Sequence, residues 1–335
     1  MDHALAVKRV DIANVFLVLV ALAVAVYYPY RGFLVAYAVL GPLHYLTELN
    51  WLHNRDYFIK DRRWVWIALG AALALGLPKL AMPASPVAQY LPDALTDALI
   101  AFNRYTDAFL LIGLIMALTF VFTQNRYLRW GMLALAIVGG ILLNQKEYYV
   151  LVIGFLLPTL IHVYLFTLLF MYFGARKSGS RWGFVALAMT LAVPIFVALF
   201  DPQQMLYLFP EETQAAIAEN QFHVTNAFLG KVLGLTSGEN FEWYGRLFLR
   251  LQIFITFAYV YHYLNWFSKT SIIGWHKNLN LRRTIGLVAI WLGVVALFAY
   301  DYKVGVLVGL SLSFMHVLGE FPLNVVTIRN LFGGK

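Results

Sequence analysis

Cysteine is absent from the 335 residues, and charged residues make up only 13% of them. The chain therefore has no disulfide, no thiolate metal ligand and no cysteine nucleophile. Soluble domains carry about a quarter charged residues, so the deficit excludes an ordinary soluble enzyme and a charge-rich disordered chain alike. No GxGxxG fingerprint, P-loop, HExxH zinc helix or GxSxG elbow occurs. Internal repeats and low-complexity segments are also missing.

Apolar residues are what the chain has. They reach 61%, with a mean hydropathy of +0.71. The net charge of +8 does not form a nucleic-acid patch, because the basic residues sit between apolar segments; no nucleic-acid partner is expected. Crossing about 30 Å of hydrocarbon takes roughly 20 apolar residues. Ten segments qualify: about 11–30, 32–52, 64–83, 100–123, 130–145, 148–174, 182–200, 246–267, 284–300 and 303–322. Each must be helical, since lipid offers backbone amides no partner, and no alternating pattern suggests a barrel. The expected fold is all-α: a polytopic integral membrane helix bundle of about ten transmembrane helices, forming a single transmembrane domain over 1–335. Lys8 and Arg9 precede the first run, but no small-residue cleavage site follows Tyr27-Tyr28-Pro29-Tyr30, so this reads as an uncleaved first helix.

Lys and Arg in short loops orient the spans. With ten spans, one side receives 17 of the 25 basic residues. Among these are Lys8 and Arg9, the run Arg55, Lys60, Arg62 and Arg63, the pair Arg126 and Arg129, and the terminal Lys335. The bias alternates loop by loop and predicts both termini in the cytoplasm, in a bacterial-type inner membrane. The longest polar stretch, 201–245, falls outside and is rich in acids, including Asp201, Glu211, Glu212 and Glu239. Pro210-Glu211-Glu212-Thr213 reads as a helix start, so an extracytoplasmic cap of one or two short helices is expected there.

Ionisable groups inside a bilayer are expensive and point to function. They are His44, Glu48 and His53 on the second span, His162 on the sixth, His262 on the eighth, and His316 and Glu320 on the tenth. His276 follows the eighth span on the inner side. The orientation places His44, Glu48, His262, His316 and Glu320 in the inner half of the membrane and His162 near the middle of its span. His44 and Glu48 are four residues apart, as are His316 and Glu320, so each pair shares one helix face. Such a pair can serve one metal ion, or it can be a buried ion pair. His53, nine residues from His44, returns near the same face; His276 lies at the rim. Thr47, Asn50, Asp56, Asn265 and Asn324 are candidates to orient these rings. Tyr45, Tyr261 and Tyr263 flank histidines, although the reading favoured for them, as for Trp64, Trp66 and Tyr149, is an interfacial aromatic belt.

The expected metal set is therefore His44, Glu48, His53, His162, His262, His276, His316 and Glu320, with Glu48 and Glu320 as catalytic acids or bases. Imidazole with carboxylate suits iron, mono- or dinuclear, with zinc as the alternative. The function expected is an integral-membrane metalloenzyme: a non-haem iron oxygenase, hydroxylase or desaturase. Its partners would be a membrane lipid or isoprenoid substrate and an electron donor. The HxxxH and HxxHH boxes of membrane desaturases are absent, so no family is assigned. Two alternatives stand beside it. One is a proton-coupled transporter relaying protons through His–Glu pairs; the other is a haem-binding electron carrier.

Overall fold

The computed structural model describes residues 3–59, 61–82, 85–144, 146–237 and 241–332, and all regular structure among them is helical. Lys60, Glu239 and Lys335, counted above among the loop charges, lie outside the described residues. In chain order the helices are α1 (His3–Tyr27), α2 (Pro29–Val35), α3 (Gly41–Asn54), α4 (Arg63–Gly76), α5 (Asp93–Asn103), α6 (Asp107–Phe122), α7 (Arg126–Leu143) and α8 (Glu147–Tyr149). They continue with α9 (Thr167–Ser178), α10 (Arg181–Leu199), α11 (Glu211–Glu219), α12 (Phe222–Val232), α13 (Arg246–Ser268), α14 (Thr270–Ile273), α15 (Leu281–Tyr300) and α16 (Tyr302–Phe332). Wider π-type winding joins α2 to α3 over Ala36–Leu40 and α8 to α9 over Val150–Phe166.

Eight helices among the described residues are long and apolar enough to cross a membrane, or up to nine if the α5–α6 pair, bent by 55°, is one broken span. The protein is thus an integral membrane protein. The difference from ten has local causes. Segment 100–123 is divided by the bend between α5 and α6. Segment 32–52 is divided into α2, the π turn and α3, and Thr47, Glu48 and Asn50 dilute its apolar character.

The chain groups into two compact units, Met1–Gly41 with Thr167–Gly274, and Pro42–Phe166 with Trp275–Lys335. In the first, α13 is buried along most of its length and packs on α1, α2, α10 and α12. Its polar residues are matched: Asn226 Nδ2 donates to Gln252 Oε1 at 2.8 Å, and Gln252 Nε2 donates to the Pro29 carbonyl at 3.1 Å, as buried amides require. Within 201–245, α11 does begin directly after Pro210, with Glu211 and Glu212 in its first turn.

In the second unit α16 packs against α4, α6 and α15. Close approach explains several small residues. A Cβ at Gly113 would collide with Leu318, and one at Gly76 would lie 2.8 Å from Ser311 Oγ. Trp64, Leu110, Met116, Leu318 and Phe321 form the core. Trp64 is fully buried and Tyr149 nearly so, whereas Trp66 is exposed; the Trp64 ring lies beside Phe120, and the Tyr149 hydroxyl donates to the Asp107 carbonyl at 3.1 Å.

Arg129 ties this unit together at the start of α7. Its guanidinium meets Asp61 Oδ2, donates to the Thr123 carbonyl and to Gln124 Oε1, and lies 4.0 Å from the centre of the Phe120 ring. Burial alone would lift the Asp61 carboxyl, but the Arg63 amide and the Arg129 guanidinium together hold it below the usual range. A depressed folded-state pKa stabilises the fold above the unfolded value, near 3.9, and that stability is lost as pH falls through the folded value. Arg129→Ala is expected to cost about 1–3 kcal/mol, less than a fully buried pair because Asp61 keeps some solvent. The drop in its melting temperature below about pH 4 should also be smaller than that of wild type, the Arg63 amide still holding the Asp61 carboxyl down. Thermal unfolding of the two proteins from pH 3 to 7 checks both.

Candidate metal centre

Three prolines prepare the site by removing backbone donors. Pro42 has no N–H for the Ala38 carbonyl, and the ladder slips so that the Gly41 amide reaches Ala36. Downstream, α3 presents His44 and Glu48 on one face. Pro158 lies inside the Val150–Phe166 stretch, and the next residue, Thr159, leaves helical angles at φ −107° and ψ −105°. Thr159 Oγ1 recovers a bond by donating to Phe155 O at 2.6 Å. His162 follows within a turn. Such π-type winding often marks functional sites. On α16, Pro322 comes two residues after Glu320 and deprives the Leu318 carbonyl of its helical donor.

His44, His162, His316, Glu48 and Glu320 all belong to the second unit, and each is at least 97% buried. One ring nitrogen from each of the three histidines lies within 4.8 Å of the others. His44 Nε2 is 3.1 Å from Glu48 Oε2, and His316 Nε2 is 3.9 Å from that same oxygen. His162 Nδ1 is 2.9 Å from Glu320 Oε2, and His162 Nε2 is 2.9 Å from His316 Nε2. The pairing therefore differs from the spacing-based one: Glu320 meets His162 on another helix, while His316 turns to His162 and Glu48.

Proton placement makes this cluster demanding. His316 Nδ1 is 2.9 Å from the Ser313 carbonyl. A carbonyl only accepts, so Nδ1 holds the proton and Nε2 carries a lone pair. A neutral His162 then has two poor choices. With its proton on Nδ1, two nitrogen lone pairs face each other at 2.9 Å. With its proton on Nε2, the Nδ1 lone pair faces a carboxylate oxygen at the same distance. Glu320 Oε2 accepts no hydrogen bond in this geometry. One further positive charge, an extra proton or a metal ion, resolves both conflicts. Two nitrogens bound to one ion at about 2.1 Å and at right angles lie about 3.0 Å apart, close to the observed 2.9 Å. Every ionic partner of Glu48 and Glu320 among the described residues is a histidine, so no Lys or Arg supplies that charge.

Three candidates remain. His262 belongs to the first unit, on α13, with its Nδ1 2.8 Å from Thr167 Oγ1. His53 is exposed at the end of α3, with the Tyr57 ring 6.2 Å away. His276 is exposed beside Trp275. Neither is brought to the cluster, because both sit at helix ends where polar residues remain in solvent. Thr47 Oγ1 donates back to the Leu43 and His44 carbonyls, Asn265 Nδ2 donates to Tyr261 OH at 3.1 Å, and Asp56 pairs with Arg62 at the surface. Asn324 is buried, and neither of its amide atoms has a hydrogen-bond partner among the described residues.

Tyr45 is the residue that sequence reasoning undervalued. It is buried, and its ring stacks on His316 with centroids 4.5 Å apart and an interplanar angle of 27°. Its position directly after His44 was the available signal. The Ser313 carbonyl left no signal at all, because a backbone acceptor has no residue type. No family model, no curated protein and no solved structure matches the chain.

Proposed function

We propose that His44, His162, His316, Glu48 and Glu320 hold a metal ion, and that the chain is an integral-membrane metalloenzyme. The observation that carries this is the facing pair of Nε2 atoms, 2.9 Å apart, between a Ser313-fixed ring and a buried carboxylate. Nitrogen and oxygen donors without sulfur suit iron, with zinc or manganese next. Two carboxylates would neutralise a divalent ion, and the apolar walls would keep water from it. Iron would supply oxygen activation. The residues of this chain would hold the ion, and Glu48 or Glu320 would accept or return a proton at the substrate. The substrate class that reaches such a site from the bilayer is a lipid or isoprenoid, and an oxygenase, hydroxylase or desaturase also needs an electron donor. The loop charges favour a cytoplasmic-membrane protein of about ten spans, with both termini inside and the centre toward the inner face.

One other reading has an observation in its favour. If the missing positive charge is a proton, His162 and His316 share it through an N–H···N bond, and the cluster is a proton relay in a transporter. A haem carrier fits less well, since nitrogens 2.9 Å apart leave no space for a porphyrin between the rings. Elemental analysis of protein purified without a polyhistidine tag separates the two. About one equivalent of iron or zinc per chain supports the enzyme. Metal-free protein that takes up protons with a solute in vesicles supports the relay and ends the enzyme reading.

A further inference from the structure

Glycine within a spanning helix costs about 1 kcal/mol relative to alanine unless close packing demands it. In the second unit most helical glycines on α4 and α6 meet that demand: Gly76 abuts Ser311 and Gly113 abuts Leu318. Gly70, in the middle of α4, does not. A Cβ built there has no neighbouring atom within 4 Å. It opens instead onto a cavity of about 590 Å³ between α4, α6 and α7, lined also by Trp66, Phe102, Tyr105, Ile137 and Ile141. Cavities that hold small organic ligands have about this size, roughly 300–1,000 Å³. Every lining side chain is apolar or aromatic; Trp66 is largely exposed, and Tyr105 and Ile141 are partly so. In a membrane such a space faces hydrocarbon, not water, and an apolar cavity does not hold water.

Two basic residues, Arg104 and Lys79, stand at one end of it, and Asp107 of α6 lies near enough to Lys79 to attract it. Arg104 stands in the turn between α5 and α6, between the lining residues Phe102 and Tyr105. It is exposed and forms no ion pair among the described residues. Lys79 Nζ donates to Asn103 Oδ1 at 3.0 Å, one residue away. The 55° bend brings this basic turn to the end of the apolar space.

We propose that the cavity binds one acyl chain of an anionic phospholipid, with the headgroup phosphate at Arg104. This site is separate from the histidine cluster and does not depend on the ion held there. Native mass spectrometry of the full chain in mild detergent tests it, with dioleoyl phosphatidylglycerol and dioleoyl phosphatidylcholine as probes. Wild type is expected to retain one phosphatidylglycerol and to prefer it at least about fivefold over phosphatidylcholine. Gly70→Leu places a side chain in the empty space. It should lose the bound lipid while its melting temperature stays equal or rises, since leucine favours a helix. Gly70→Ala, too small to fill the cavity, should still bind and guards against a folding artefact. Arg104→Gln should keep the chain but lose the headgroup preference. Equal binding by wild type and folded Gly70→Leu would overturn the site. An unchanged preference in Arg104→Gln would overturn the anionic headgroup.

Discussion

His316→Ala is expected to lower bound iron from about one equivalent per chain to below a tenth, and His162→Ala to do the same. Loss of a partner that merely orients a ligand costs 10–100-fold in metal affinity, and removing the ligating nitrogen itself costs more. The two rings are not equivalent in what they leave behind. Without His316, the neutral His162 can place its proton on Nδ1 toward Glu320 with no lone pair opposite, so the metal-free variant should be no less stable than metal-free wild type. His44→Ala should also lose the ion but leave the Glu48 carboxylate near His316. His53→Ala and His276→Ala should keep the full complement, because both rings are exposed and away from the cluster. His262→Ala separately tests the expectation drawn from its position on α13. Inductively coupled plasma mass spectrometry on monodisperse protein reads all six. Iron unchanged in both His316→Ala and His162→Ala would remove the centre.

The sequence carried the helix faces these groups occupy but not their partners. Four-residue spacing placed His44 with Glu48 on one face of α3, and the 3.1 Å contact has that geometry. The same spacing on α16 suggested a His316–Glu320 pair, yet Glu320 turns to His162, 154 residues away from His316 in sequence. Periodicity fixes which face a side chain occupies, whereas the neighbour across that face is decided by helix packing. Proline marked the local irregularities well: Gly41-Pro42 coincides with the π turn and with the boundary between the two units. Pro158 was equally visible, but the length of the π-wound stretch around it was not, since hydrophobicity is the same in either winding. Trp64 and Trp66, two residues apart, carry the same residue type and opposite fates, and the packing of α4 on α6 and α16 distinguishes them.

Chelation should lower the melting temperature of wild type by on the order of 5–10 °C and leave His316→Ala unmoved. An ion held at about 1,000 times its Kd stabilises the fold by about 4 kcal/mol, and each kcal/mol shifts a chain of this size by roughly 1.5 °C. The carboxylates make the sign of a second result specific. Stripping the ion leaves Glu48 and Glu320 buried among imidazoles with no Lys or Arg paired to them among the described residues, which is costly for charged groups. The Glu48→Gln, Glu320→Gln double variant carries neither charge. Without metal it should melt above chelated wild type, by the equivalent of about 1–4 kcal/mol, although it binds no iron itself. Differential scanning fluorimetry with and without chelator, at pH 6 and 8, reads both effects. A wild-type melting temperature that ignores chelator and climbs with acid would instead assign the missing charge to a proton, because only then would the folded state gain from protons what it does not take from an ion.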